Sequence, residues 1–407
     1  MSATSASSPA VAADFVLRGA RELVTMSASP AEGLGALAGG ALAAKDGVIV
    51  WVGREAELPQ AVDLAPGGLD VDAEGRCVLP GFVDAHTHVP FAGSRAAEYG
   101  ERLRGVSYGE ILARGGGINV TVAATRQASE EELARLARLR YDSMLRHGTT
   151  TAEVKSGYGL TATDEAKQLR AAATPHPLRR ELTFLGAHFV PPEYAGRAED
   201  YIRLVCDEMI PACAPLARSG GSMLAAELGC SSADHLIHAT GEEIEALRAA
   251  GVVAVMLPGT SYTLGVEFAP ARAFLEAGVT IALASDYNPG SCNCENLQTI
   301  ISLACQGMKL TPDEAMYAAT VGGAAALRRD DVGSLEVGKR CDFSVLVAES
   351  RTELPYHFGV NLVGDVVIGG RVVVQDGVVT GGAPAPEPLA SPPAPPGHAP
   401  TDRGGAP

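Results

Sequence analysis

The chain has 407 residues, 46% of them hydrophobic and 20% charged, which is the composition of a globular protein with a sizeable core. Lysine and arginine number 32 against 48 acidic residues, a formal charge of −16 without a basic block, so nucleic acid and anionic membrane are excluded as expected partners. No apolar run approaches the ~20 residues that span a bilayer, and the eight cysteines are scattered rather than arrayed as a disulfide framework.

The opening MSATSASSPAVAADF is small and polar, without the basic start and apolar stretch of a signal peptide, so a cytoplasmic location is expected. Residues 14–79 carry short β-type runs (FVLRGARELVTM, DGVIVWVG, DVDAEGRCVL) divided by glycine-rich turns, and Lys45-Asp46-Gly47 has the composition of a tight hairpin. Residues 80–329 alternate apolar β-runs with helical stretches, the pattern of a parallel α/β fold. Residues 330–380 return to short strands with glycine turns. The two flanking regions are therefore expected to pair into one small β-sandwich domain, with the α/β region inserted between its halves. Residues 381–407 are rich in proline, alanine and glycine and are expected to be disordered.

Six barrel strands are predicted inside the α/β region: 81–86 (GFVDAH), 149–154 (TTTAEV), 182–188 (LTFLGAH), 232–237 (SADHLI), 252–257 (VVAVML) and 280–285 (TIALAS). Each ends at or beside a polar or ionisable residue, and strand C-termini are where an α/β barrel places its chemistry. Eight strands would close such a barrel. The shortfall lies between His188 and Ser231, where helical runs occur and no β-run is visible.

PGFVDAHTH delivers His86 and His88 at i and i+2 of a strand end, on one side, an arrangement suited to a divalent transition metal. Asp286, closing an apolar strand before a Pro-Gly turn, could complete a metal site or accept a proton; on its own it could equally be a turn aspartate. His235, in SSADHLIHA, could stabilise an oxyanion or share a proton, whereas His238 reads as solvated. For His188, ligand, substrate contact and satisfied core group all stay open. Arg95 offers a bidentate grip on a carboxylate, against the plain alternative of a surface arginine. Tyr158, in the glycine-flanked SGYGL loop, offers a hydroxyl and an aromatic face, or simply covers the barrel mouth. ARGGGI lacks the spacing of a phosphate loop and reads as close backbone approach.

Taken together, PGFVDAHTHVPFAGSR, ARGGGI, HGTTTAEVKSGYGL, FLGAHFVPPEY, SADHL, MLPGT, SDYNPGS and PYHFGVN resemble the imidazolonepropionase family of the amidohydrolase superfamily. The resemblance implies an amidohydrolase-type (β/α)8 TIM-like barrel. It implies zinc or iron held by His86, His88 and Asp286, and a substrate held by Arg95, Tyr158, His188, Asn288, Gly290 and Ser291. Asp286 and His235 would serve the chemistry. The implied reaction is hydrolysis of 4-imidazolone-5-propanoate to N-formimidoyl-L-glutamate in histidine degradation. A homodimer is expected only from the prevalence of two-fold assemblies.

One feature departs from the family pattern. The H-A-D-E strand end, which supplies a third histidine and an acidic substrate contact, is absent, and PACAPLARS runs directly into GGSMLAAELGCSSADHL. Together with the strand shortfall this predicts an internal loss of about two strands near residues 219–220, at roughly 30 residues per βα unit. It also predicts a weaker metal site and a poorly folded or inactive polypeptide as one alternative to a working enzyme. Another cyclic amidohydrolase or deaminase of the superfamily is the second alternative.

Overall fold

Strand β1 (Val11–Val24) is long enough to serve three neighbours. It runs antiparallel to β2 (Ala36–Lys45), which turns through Asp46 and Gly47, both at positive φ (52° and 77°), into β3 (Val48–Arg54). Asp-Gly suits that turn because aspartate tolerates and glycine favours the left-handed region. β4 (Val62–Asp72) and β5 (Cys77–Pro80) both lie parallel to β1. The computed structural model describes residues 10–216, 218–219 and 230–380.

Among the described residues seven parallel strands follow. β6 (Phe82–Asp84), β7 (Thr149–Lys155), β8 (Arg179–Phe184) and β9 (Arg218–Ser219) form one sheet in that order, and β10 (Ser232–Asp234), β11 (Val253–Met256) and β12 (Ile281–Leu283) form another. A parallel bridge between Thr87 and Tyr287 joins the two just beyond the ends of β6 and β12. The chain then returns to the first sheet. β13 (Phe343–Leu346) pairs with β5, and β14 (Val363–Ile368), β15 (Arg371–Gln375) and β16 (Val378–Val379) extend the edge, giving nine strands in all. N- and C-terminal segments thus share one sheet, with Phe15, Leu17, Leu42 and Phe343 fully buried beneath it.

The seam between β6 and β12 is tied by buried polar groups. Asp84 accepts from the Ser285 backbone N–H at 2.9 Å and from its hydroxyl at 2.6 Å. Asp286 N donates to His86 O and His88 N to Tyr287 O, each at 2.9 Å. Burial pushes the Asp84 carboxyl up to about 6, against the opposing pull of the Ser285 hydrogen bonds. The helical segment after Tyr317 packs directly on both strands. A β-carbon at Gly322 would lie 2.1 Å from Ile281 O, and one at Gly323 2.2 Å from Val83 O, so only glycine permits this approach.

Helices cover the outside. Glu130–Arg146 begins at Ser129, whose side chain accepts from Glu132 N, and places acidic residues in its first turn, where the helix dipole favours them. Its buried face runs Leu133, Ala137, Tyr141, Met144 and Leu145, the helical period of a stripe turned inward.

Three expectations need correction. Apart from β7, the strands are shorter than their apolar runs, so His86, His88, His188 and His235 lie beyond strand ends, with His188 in a short turn of 3-10 helix at Gly186–His188. β9 supplies a strand where none was expected; two residues are too few to leave a period in sequence. β2 was not expected either, because Ala-Leu-Ala-Gly-Gly lacks the β-branched residues that mark a strand. No pairing joins β9 to β10 among the described residues. The expected loss near residues 219–220 adjoins positions 220–229, and the tail from 381 lies beyond 380, so both fall outside the described residues.

Candidate metal centre

His86, His88 and Asp286 come together at the seam, with one donor atom from each lying within 4.8 Å of the others, all three side chains buried. Asp286 Oδ1 is 3.5 Å from His86 Nε2 and 3.8 Å from His88 Nε2. Ligands about 2.1 Å from a shared tetrahedral ion stand about 3.4 Å apart, so these separations fit one metal after small adjustments. The outer nitrogens decide the question of fit. His86 Nδ1 meets Asp234 Oδ2 at 3.0 Å and His88 Nδ1 meets the carbonyl of Ser156 at 3.3 Å. Donation to these acceptors fixes the tautomer that leaves both Nε2 lone pairs facing Asp286, as a metal-binding pair requires.

Asp286 is held just as firmly. Its φ of 49° is unusual for a non-glycine residue and turns the side chain back toward the histidines. Its Oδ2 accepts from Thr260 Oγ1 at 2.5 Å and from Ser291 Oγ at 3.4 Å, leaving Oδ1 for the centre. Burial, then the neighbouring histidines His188 and His86, hold His88 well below the ordinary imidazole value, so it is neutral and competent as a ligand. For His86 burial opposes the charged form, but Asp234 and Asp286 together outweigh it and the balance lies above the ordinary value.

Behind His86 stands a buried ionic chain. Asp234 Oδ2 is 3.6 Å from Lys155 Nζ, Lys155 is 2.9 Å from Glu153 Oε2, and Glu153 Oε1 accepts from Thr183 Oγ1 at 2.6 Å. Sequence reasoning missed these residues. The available signal was Glu153 and Lys155 at i and i+2 of a strand otherwise without charge, two opposite charges on one face.

A cavity of about 660 Å3 opens over the centre, lined among others by Arg95, Arg102, Tyr158, His188 and His235. The ring of His188 stacks on that of His88 with centroids 5.0 Å apart and planes 10° from parallel, while its Nδ1 meets Gly157 O at 3.0 Å. His188 is thus a wall of the cavity and stands outside the three-residue donor cluster. His235 is exposed, has a φ of 70°, and presents its ring 5.7 Å from that of His86. Tyr158 is buried between His88 and His188, at 5.6 and 5.4 Å. Its loop hangs on Glu165, whose carboxylate accepts from the N–H groups of Gly157, Gly159 and Leu160 at 2.7–2.9 Å.

Asn288 holds its own turn. Its side-chain oxygen accepts from Gly290 N and Ser291 N, both at 2.8 Å, and its amide donates to Asp286 O at 2.6 Å. Gly290 makes room for Arg95, whose Nη1 would lie 2.2 Å from a β-carbon there. Arg95 Nε is bound to Glu98 Oε2 at 2.8 Å, which leaves only its terminal nitrogens for a ligand. The ARGGGI segment reaches the same pair, with Gly117 N donating to Glu98 Oε1 at 2.9 Å.

Comparison with known proteins adds to this geometry. The amidohydrolase family model matches residues 217–373. Imidazolonepropionase of Symbiobacterium thermophilum is 46% identical over 418 positions, covering 90% of this chain and 98% of the relative. The chain belongs to the imidazolonepropionase family. The family member of Geobacillus kaustophilus is 40% identical, with 89% of this chain and 98% of the relative covered. That first match, at 418 positions, is longer than the whole chain of 407 residues, so imidazolonepropionase of S. thermophilum carries residues inside the matched span that this chain lacks. Among solved structures, an adenosine deaminase from Xanthomonas campestris with bound zinc superposes with a TM-score of 0.64 at 21% identity, covering 92% of this chain and 96% of that one. Escherichia coli guanine deaminase gives 0.63 at 18% identity, covering 89% and 99%. These two establish the amidohydrolase-type fold that the imidazolonepropionase family shares. Among the described residues no helix is long and apolar enough to cross a membrane.

Proposed function

We propose that the chain hydrolyses 4-imidazolone-5-propanoate to N-formimidoyl-L-glutamate. The observation that carries the reading is the pair of forward-facing imidazoles, His86 and His88, set against Asp286 Oδ1 beneath a cavity that also holds Arg95, Tyr158 and His188. His86, His88 and Asp286 would hold one zinc or iron ion. Such an ion lowers the pKa of a bound water and polarises a carbonyl oxygen.

The reaction adds one water across the ring C–N bond: oxygen bonds to the carbonyl carbon, and the nitrogen leaves carrying a proton. Asp286 takes the water's proton on Oδ1, its Oδ2 being occupied by Thr260 and Ser291, and passes it to the departing nitrogen. His235 stands across from His86, where a donated hydrogen bond meets the negative charge growing on the carbonyl oxygen. Tyr158 and His188 flank the planar ring, and Asn288 with Ser291 keeps the turn under it fixed. Arg95 faces the propionate with its terminal nitrogens.

In domain terms we read residues 80–329 as a TIM-like (β/α) barrel catalytic domain and residues 14–79 with 330–380 as a β-sandwich. The barrel would lack about two strands between β9 and β10. The pairing gap between those strands and the length of the S. thermophilum match both support this. A second reading follows from the same observations: with two imidazoles and one carboxylate the site binds metal more weakly than a four-donor site, and turnover is impaired accordingly.

The test is metal content measured together with imidazolone hydrolysis on the purified chain. About one ion per chain with hydrolysis supports the first reading. Full metal loading without hydrolysis overturns it. Little metal, with hydrolysis restored by inserting the S. thermophilum segment after Ser219, supports the second.

A further inference from the structure

The cavity contains two guanidinium groups, and they are not equivalent. Arg95 sits at the start of helix Ala96–Leu103 and is neutralised there by Glu98, three residues along, at 2.8 Å. That glutamate is itself fixed by Gly117 N, so the pair is a closed unit. Arg102 lies seven residues after Arg95, two turns along the same helix face, and also lines the cavity. Its Nη2 donates to Gly290 O at 3.1 Å, and its guanidinium lies 5.8 Å from the ring centroid of Tyr99. No ion pair engages Arg102 among the described residues, while the neighbouring Glu101 pairs with Arg114.

The two arginines converge on Gly290, Arg95 against its α-carbon and Arg102 on its carbonyl. A carboxylate entering beside Gly290 meets one cation whose charge is already answered and one whose charge is not. In a chain of net charge −16, that unanswered charge is what draws an anion to the cavity. We infer that Arg102 is a specificity-determining residue, the cation that selects ligands bearing a carboxylate on the side chain of their ring, with Arg95 orienting what Arg102 attracts. The inference rests on the proposed imidazolone substrate and adds, beside the Arg95 that faces its propionate in that reading, a second cation which that reading does not use.

The experiment compares two probes by calorimetry on the purified full chain, imidazole-4-propanoate and its neutral carboxamide. Both present the same ring to the centre, so the ratio of their dissociation constants isolates the carboxylate. The expected result is a preference of about tenfold or more for the carboxylate. Arg102→Gln should erase that ratio and leave carboxamide binding in place, while Arg102→Lys, which keeps the charge and loses the fork, retains part of it. If the ratio survives Arg102→Gln and disappears in Arg95→Gln, the carboxylate belongs to Arg95 and the inference fails while the substrate assignment stands. Equal weakening of both probes by Arg102→Gln means the residue only props the Gly290 turn, and also overturns it. An unmodified chain that does not discriminate between the probes overturns the substrate assignment, and this inference with it.

Discussion

Asp234 Oδ2 lies 3.0 Å from His86 Nδ1, on the side of the imidazole opposite Asp286, and its other oxygen, Oδ1, is buried without a hydrogen-bond partner. The carboxylate holds the ring in the tautomer that offers Nε2 to the centre. It also keeps its negative charge in spite of burial, because His86 and Lys155 outweigh the desolvation. Asp234→Asn preserves the shape and removes the charge. Metal affinity should fall about 10- to 100-fold in a competitive chelator titration. An unchanged affinity would show that His86 needs no such partner.

Glu165 is a buried carboxylate serving three backbone donors of the loop that carries Tyr158. Removing it strands those donors, at about 1–3 kcal/mol for each left unpaired. Glu165→Ala should therefore lower the unfolding free energy by about 3 kcal/mol or more, whereas Glu165→Leu, of similar volume, should do no better. Urea denaturation of the two variants is the measurement. A loss below about 1 kcal/mol in both would mean the loop is held elsewhere.

Gly323 touches the backbone of β6. Gly323→Ala places a methyl group 2.2 Å from Val83 O, and neither partner is a flexible side chain that can swing away. The expected cost is about 3 kcal/mol, near the upper end for an overpacked core. The same change at Gly251, where a β-carbon meets nothing within 4 Å but φ is 67°, costs only the left-handed conformation. Thermal unfolding of the pair should rank Gly323→Ala clearly lower, and the reverse order would refute the packing argument.

Asp331 accepts from Arg329 at 2.6 Å and from Arg340 at 3.2 Å. The Arg329 hydrogen bond, opposed by burial and helped by Arg340, holds the carboxyl down at about 2. An unfolded aspartate titrates near 3.9. Since the folded value is the lower one, the contribution to stability is complete above about pH 4 and is lost as pH falls toward about 2. Arg329 also reaches Glu181 on β8, so the pair ties the segment after the Gly323–Ala326 helix to the parallel strands. Asp331→Asn should flatten the acid dependence of unfolding between about pH 4 and 2. Identical slopes in the variant and the unmodified chain would rule the pair out as its source.

Parts of the site were legible in sequence because their signals are local. His86 and His88 stand two apart after an apolar run, and Asp286 closes another before Pro-Gly; both patterns survive although the strands end earlier than the runs. The partners behind them were not legible. Asp234 was visible only as the residue before a histidine, and its role depends on a chain separation of 148 residues to His86. Glu165 sits in a helix, where an acidic residue in the first turn ordinarily serves the dipole, so nothing marked it as a buried loop anchor. For Arg95 the sequence leaves a carboxylate grip and a surface arginine open and gives no sign of its pairing, because a contact with Glu98 three residues on is what any surface helix offers. β2 and β9 escaped notice, one through composition and the other through length.

The bridge between Thr87 and Tyr287 joins segments two hundred residues apart in the chain, and the candidate ligands lie on both sides of it. An ion held by them would be a crosslink as well as a reagent, bracing a seam that otherwise rests on main-chain contacts and Asp84. Folding and occupancy are then thermodynamically linked, with stability rising logarithmically in free ion concentration. In a cell short of metal, the shortage would register as a falling amount of protein, cleared after opening at the seam, before it registered as idle enzyme.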